Sequence, residues 1–452
     1  MVQQLSGTKA REEWGTRLGF ICAAVGSAVG LGNIWRFPYI TGENGGAAFI
    51  VVYLLCILLC GLPIMIAELT IGRKAQSDAV GSFEALAPGK PWIFGGVLGV
   101  LAGFFILSFY SVVAGWALKF FATAASGSLW EIDKAGFGKF FGDYIAQSWE
   151  PIFWQGAMMA MTIYIVAGGV KKGLERWNRI LIPALAIMVI ILAGFSLTLD
   201  GAAKGVAFLF TPDWKKLADP NVYLIALGQA FFSLSIGMAV FITYGSYLSQ
   251  SVRLPVMGAA TVAGDTIFAI IAGLAIFPAV FAFGLDPSAG AGLSFITLPG
   301  LFQAIPGGMV VGPLFFLLLV VAALTSMASL LEVPVAFFMR ILKVPRGKIA
   351  IITGLVIFAI GIPSSLGFGV LGHIKWGEKT ILDIMDFLML HLALPIGGMI
   401  TALFVGWAWQ RQSVLSDAGF GENVLGFVWL WLLRVAAPLM VLFIFLHKLN
   451  LV

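Results

Sequence analysis

Oxygen-bearing side chains stand inside stretches of this chain that are otherwise apolar. Asp265 lies between Thr261 and Thr266, and Gln229, Ser233 and Ser235 fall within Gly228 to Met238. Thr325 and Ser326 follow Ala322-Ala323-Leu324, and Asn33 lies in the run from Gly26 to Pro38. Small hard cations take several oxygen ligands from carboxylate, amide, hydroxyl and carbonyl groups, and these four segments supply every one of those types. A carboxylate left unpaired in an apolar layer is costly, so Asp265 requires a partner. A bound cation is one partner; the alternative is a protonated aspartate bonded to a serine.

The elements that position these residues are membrane helices. Of 452 residues, 60% are hydrophobic and 11% charged, with a mean hydropathy of +1.00. Soluble domains carry roughly one-quarter charged residues. A hydrocarbon layer about 30 Å thick is crossed by about 20 apolar residues. Eleven stretches qualify: 17–40, 46–72, 92–121, 151–170, 175–198, 221–247, 256–284, 307–340, 347–363, 380–410 and 424–447. Lysine and arginine gather in the breaks after even-numbered stretches (Arg73, Lys74, Lys90; Lys171, Lys172, Arg176, Arg179; Arg253; Arg340, Lys343, Arg346, Lys348; Arg411). The positive-inside rule makes those breaks cytoplasmic, with the amino terminus inside and the carboxyl terminus outside a cell membrane.

No cleavable signal peptide is expected, because the first sixteen residues are polar and the apolar run that follows is too long. Cys22, Cys56 and Cys60 lack metal-ligand spacing and read as packing residues. The net charge of +5 reports orientation, and nothing points to nucleic acid. Outside the bilayer, Phe137 to Phe141 suits a short surface helix, and Phe295 to Leu301 a re-entrant or capping helix.

The first stretch is badly made for an unbroken helix. Gly26-Ser27-Ala28-Val29-Gly30-Leu31-Gly32-Asn33 either packs closely against a neighbour or breaks and offers backbone groups to a ligand. The sixth stretch repeats the anomaly in Gly228 to Met238. Interrupted segments at matching positions in two halves mark transporters built from inverted repeats, with the substrate between the broken helices. The expected architecture is therefore an all-α polytopic membrane protein of eleven transmembrane helices, a five-plus-five inverted repeat broken in helices one and six. Residues 1–16 form a cytoplasmic tail, 17–410 the core of two repeats (about 17–198 and 221–410), and 424–447 an additional helix.

The run Trp14 to Pro38, with Glu43-Asn44-Gly45-Gly46 after it, resembles the amino-terminal signature of the neurotransmitter:sodium symporters. Gly228 to Ser235, Ala322 to Ser326 and Asp383-Ile384-Met385-Asp386-Phe387 extend that resemblance over essentially the whole chain. The chain is most similar to the bacterial amino-acid branch, which includes members with eleven spans. The resemblance implies two sodium ions. The first would meet the Ala28 carbonyl, Asn33, Ser233, Asp265 and the substrate carboxylate; the second, the carbonyls of Gly26, Val29 and Ala322 and the hydroxyls of Thr325 and Ser326. It implies a substrate whose carboxylate meets the Gly30 and Gly32 amides and Tyr110, and whose ammonium meets carbonyls of Ala28, Phe232 and Ser235. Half-helix ends of opposite polarity suit both charges.

Amine-carrying members of the family have aspartate at the position of Gly30, so glycine there implies an amino acid. The side-chain pocket implied comprises Val29, Tyr110, Phe232, Met238, Ser326 and Leu330, where flexible Met238 favours broad uptake of aliphatic and aromatic L-amino acids. Asp265 stands where the family usually has asparagine. Its carboxylate supplies the charge that chloride supplies elsewhere, which implies independence from chloride, although Tyr53, Gln229 and Ser233 resemble part of a chloride site. Proton coupling through Asp265 is the alternative.

The resemblance also implies gates. Arg36 and Asp386 would pair above the site, with Tyr110 and Phe232 as an aromatic lid, and Arg11 and Trp14 would fasten the tail inside. The family has aspartate near position 340 where this chain has Arg340, so Arg11 lacks its usual partner. Gly173 and Pro183 weaken the start of the fifth helix. Unwinding there would admit water to the second sodium; a static kink is the alternative.

An enzyme is excluded by the lack of any Ser/His/Asp arrangement, since His373, His391 and His447 lie far from the polar clusters. A channel uses the same broken helices and differs in permeating continuously.

Overall fold

The computed structural model describes residues 12–133, 136–286, 293–305 and 307–448. Among these, eight helices are long and apolar enough to cross a membrane, and one bent pair makes a ninth. That pair is α1 (Arg17–Ala28) and α2 (Gly32–Glu43), bent by 46°. There follow α3 (Ala47–Ala75), α4 (Ile93–Ala125), α5 (Glu150–Ala167), α6 (Val170–Leu197) and a second broken pair, α7 (Pro220–Ser233) and α8 (Val240–Gly245). The chain continues through α9 (Leu254–Ala282), α10 (Gly308–Leu342), α11 (Arg346–Leu366), α12 (Ile381–Ala408) and α13 (Val424–Phe443). The expected limits are met within a few residues except at α6, which begins at Val170 because a π-helical turn over Val170–Glu175 runs straight into it. Both expected surface helices form, as Phe137–Ala146 and Thr297–Ala304.

Each break has a local cause. At the end of α1, Val29 turns extended (φ −78°, ψ 99°) and the helix restarts at Gly32. Between α7 and α8, Ser235, Gly237 and Ala239 all take positive φ, a conformation that a continuing helix cannot accommodate. The buried Glu68 of α3 supports that loop by accepting from the Gly237 amide at 2.8 Å. A Cβ on Gly237 would come within 2.3 Å of the Leu394 carbonyl oxygen, so only glycine fits there.

The longest helices, α4 and α10, pack together along most of their length in the centre of the bundle. Gln155 of α5 ties α4 to α11, donating to Ser111 at 3.0 Å and accepting from Ser365 at 2.9 Å. Small residues set the closest approaches: a Cβ on Gly72 would lie 1.9 Å from the Ile242 carbonyl oxygen, locking α3 against α8. The outward faces are apolar, with Leu58, Phe94, Ile187, Val356 and Trp431 exposed to the surrounding layer.

Candidate functional site

The two breaks lie side by side in the middle of the bundle, and polar side chains from four helices converge on them. Asp265 is fully buried on α9. Its Oδ1 accepts from Asn33 Nδ2 of α2 at 2.7 Å and from the Ser233 hydroxyl of α7 at 2.7 Å, and its Oδ2 accepts from the Tyr53 hydroxyl of α3 at 3.1 Å. Asn33 Oδ1 in turn accepts from the Gly30 amide at 3.1 Å, inside the bend. Carboxylate, amide and hydroxyl oxygens therefore gather at one point around a single acidic group, a donor set suited to a monovalent cation. Among the described residues no three or more His, Cys, Asp or Glu side chains are grouped so as to hold a metal ion.

A second oxygen cluster joins the end of α1 to α10. The Ser326 hydroxyl stands 3.4 Å from the Gly26 carbonyl oxygen and 3.3 Å from that of Ser27, and Thr325 donates to the Ala322 carbonyl at 2.9 Å.

Between the clusters is a cavity lined by Ser27, Ala28, Gly30, Gly32, Ile106, Tyr110, Phe232, Ser235, Met238, Ser326 and Leu330. Gly30 makes room for it, since a Cβ there would sit 2.3 Å from the Ser326 hydroxyl and 2.8 Å from that of Tyr110. The expected lining residues come together here except Val29, which is buried without lining the cavity; Ser233, expected beside both the first sodium and the substrate, donates to Asp265 at 2.7 Å and does not line the cavity. The expected carboxylate contacts also differ, because the Gly30 amide is engaged by Asn33 and the Leu31 amide donates to the Tyr110 hydroxyl at 2.9 Å. Two lining residues went unread in the sequence. Ile106 lies one helical turn before Tyr110, a periodicity that would have found it. Ser27 accepts through its carbonyl from the Ser235 hydroxyl at 2.9 Å, a contact across the two breaks that sequence spacing does not carry.

On one side of the cavity Phe232 and Tyr110 stand with ring centroids 6.3 Å apart. Above them the Arg36 guanidinium lies 5.2 Å from the Phe232 ring centroid and 3.9 Å from Asp386 Oδ2. Asp386 is partly exposed, so the pair is loose and weak enough to open.

At the opposite end, Trp14 packs edge-on against Phe20, Tyr244 and Tyr247 and donates from Nε1 to the Tyr244 carbonyl at 3.1 Å. Arg11 lies outside the described residues. Arg340 is drawn away to Asp78 and Glu84. In the place of the expected inner pair, Arg346 bridges Glu332 (2.6 Å) and Glu12 (3.1 Å), and the Tyr247 hydroxyl donates to Glu332 at 2.6 Å. Glu12 also accepts the Val170 amide at 2.7 Å, and Glu175 accepts from the Gly15 amide and the Thr16 hydroxyl at 2.6 and 2.8 Å. The tail is thus pinned to the first turn of α6. Gly173 sits in that turn because a Cβ would meet the Ile165 carbonyl oxygen at 2.0 Å, and Pro183 lies on the exposed face of α6.

Two broken helices meet around a buried oxygen cluster, with ion pairs on either side of it, and the comparisons with known proteins say which family has this arrangement. The Sodium:neurotransmitter symporter family matches residues 11–134 and 147–452. The chain belongs to this family. A sodium-dependent transporter of Bacillus subtilis, YhdH, is 39% identical over 438 residues, covering 96% of this chain and 97% of its own. A sodium-dependent transporter of Haemophilus influenzae is 32% identical over 455 residues, covering 98% and 99%. The solved structure of MhsT in complex with L-phenylalanine is 56% identical, with a TM-score of 0.92 and coverage of 97% of this chain and 99% of that one. The symporter is therefore an integral membrane, sodium-dependent transporter of small molecules, and not an enzyme.

Two outcomes follow from this geometry. Gly30→Ala should lower substrate affinity at least about tenfold while leaving thermal stability in detergent near wild type, since the methyl group intrudes into the cavity and not the core. Wild-type binding by Gly30→Ala, measured by equilibrium binding of labelled substrate, would mean the cavity is elsewhere. Glu12→Ala should speed amide exchange over 12–16 and 170–175 about two- to fivefold, the effect of losing one half-exposed ion pair and one amide acceptor. Unchanged exchange would remove Glu12 from the inner closure.

Proposed function

We propose that the symporter imports hydrophobic L-amino acids, aliphatic and aromatic, by sodium-driven alternating access without chloride. The observation that carries this reading is the composition of the cavity. Ile106, Tyr110, Phe232, Met238 and Leu330 make an apolar wall, while the bend around Gly30 and the Asp265 cluster supply polar groups at one end. An amino acid with an apolar side chain matches that division. A ligand bringing its own carboxylate needs no acidic residue at Gly30, where a side chain would collide with Ser326 and Tyr110. The likeness to MhsT, solved with L-phenylalanine, supports the same substrate class.

In this reading two sodium ions are co-substrates. One is held by Asn33, Ser233, Asp265 and the Ala28 carbonyl, the other by Thr325, Ser326 and carbonyls of Gly26, Val29 and Ala322. Each sodium neutralises oxygen dipoles that otherwise repel one another beside the cavity, so ion and substrate bind with positive coupling. The outer pair of Arg36 and Asp386 then closes over Phe232. Release inward requires the tail to leave Trp14's pocket and the turn at Gly173 to loosen, which opens a water path to the second ion. Eleven spans, a cytoplasmic amino terminus and an extracellular carboxyl terminus belong to the same proposal, as does the division into two repeats and a final helix. Asp265 carries the argument about chloride: the buried carboxylate already provides a fixed negative charge at the first sodium.

The test is uptake into proteoliposomes. Labelled leucine and tryptophan should accumulate under an inward sodium gradient, with equal rates when chloride is replaced by gluconate. Accumulation without a sodium gradient would overturn the coupling, and loss of uptake in gluconate would overturn the role given to Asp265.

A further inference from the structure

The inner end of α6 carries an unusual surface. Lys171, Lys172, Arg176 and Arg179 are all exposed within the first three turns. None of the ion pairs among the described residues engages any of the four. Several other basic residues at this end are engaged: Lys74 pairs with Asp417, Arg340 with Asp78 and Glu84, Arg346 with Glu332 and Glu12, and Arg411 lies over the Phe427 ring; Arg17, Arg253, Lys343 and Lys348 are exposed as well but do not line this pocket. Acidic groups do stand nearby. Glu175 borders the same pocket, with both carboxylate oxygens committed to Gly15 and Thr16, and Glu12 and Glu13 border the neighbouring one beside Lys171 and Lys172.

Beside the cluster a pocket of about 490 Å³ opens between the tail and α6, walled by Gly15, Thr16, Lys171, Arg176, Arg179 and Ile180. Directly below it the same helix face turns apolar. Ile180, Ile187, Ile190 and Ile191 are each more than half exposed, spaced to lie on one stripe in line with Arg176. Tyr164 of α5, also exposed, packs edge-on to Trp177 at 6.3 Å and marks the interfacial level beside the cluster. An excess of positive charge at a pocket, three basic side chains against the one carboxylate of Glu175, continuous with an apolar stripe facing the bilayer, matches a molecule with an anionic head and a hydrocarbon tail.

We propose that Lys171, Arg176 and Arg179, with Lys172 at the adjoining pocket, bind the headgroup of an anionic phospholipid at the pocket beside Gly15 and Thr16, with its acyl chain along the isoleucine stripe of α6. Because the tail forms one wall of the pocket, lipid binding and tail docking are thermodynamically coupled: a lipid that prefers the walled pocket favours the docked tail. The isoleucine stripe distinguishes this ligand from a free phosphate.

Fluorescence anisotropy of labelled phosphatidylglycerol and phosphatidylcholine, titrated with full-length protein in nonionic detergent, tests the site. Wild type should prefer phosphatidylglycerol by about tenfold or more, a preference that weakens as salt is raised. The variant Lys171→Gln/Lys172→Gln/Arg176→Gln/Arg179→Gln should bind both lipids alike, whereas Lys343→Gln/Lys348→Gln, on the same side of the membrane, should keep the wild-type preference. Equal loss in both variants would reduce the effect to general attraction by a basic face and overturn the site. Two arms use wild type alone. A preference indifferent to salt contradicts an ionic headgroup contact, and full displacement of phosphatidylglycerol by excess inorganic phosphate contradicts a lipid ligand.

Discussion

Burying one carboxylate among apolar helices forces its surroundings into register. Asp265 is reached by Asn33 from α2, Tyr53 from α3 and Ser233 from α7, so each of three helices must present a donor to the same two oxygen atoms of α9. Hydrogen bonds to a charged group in a water-poor interior are worth more than those at a surface, and losing one leaves a costly orphan. Through Asn33 the constraint reaches the Gly30 amide and holds the bend of the first pair. Through Ser233 it reaches the last turn of α7, immediately before the second break. The cavity exists where it does because both breaks are anchored to one acid.

The two closures are built from weaker material than this hub. On the outside, the Arg36 to Asp386 pair is long and partly exposed, and the guanidinium leans on the Phe232 ring instead. On the inside, Glu12 is half exposed and its contacts with Arg346 and the Val170 amide are ones that water can replace, while Arg346, Glu332 and Tyr247 beneath it form a largely buried chain. The proposed alternating access calls for a rigid centre between two labile ends, so that the site persists while either end opens. In the proposed cycle the turn at Gly173 and the exposed Pro183 are where α6 would loosen.

Much of this was legible in the residues. Helix positions followed from length and hydropathy, the two breaks from glycine and serine in otherwise apolar runs, and the Asp265 hub from the need of a buried acid for partners. What escaped was the pairing of elements. Arg340 was expected to leave a gap at the inner gate, and the structure sends it to Asp78, the cap of a surface helix, while Arg346 takes the inner position. Sequence spacing cannot distinguish two arginines six residues apart that lie on either side of a helix end. Ser27 escaped for the same reason, since its role is made by Ser235, some two hundred residues away. Val29, expected in the pocket wall, is buried beside the cavity without lining it, at the extended residue that ends α1.

The central claim is that the Asp265 carboxylate is the charge on which sodium binding depends. Sodium titration of substrate binding in chloride-free buffer, comparing wild type with Asp265→Asn, tests it most directly. The variant keeps the size of the side chain and one accepting oxygen for Asn33 and Ser233, and loses the charge together with the acceptor for Tyr53. The account predicts a loss of at least about tenfold in apparent sodium affinity, or ~1.4 kcal/mol, in Asp265→Asn. Wild-type sodium affinity in that variant would contradict it.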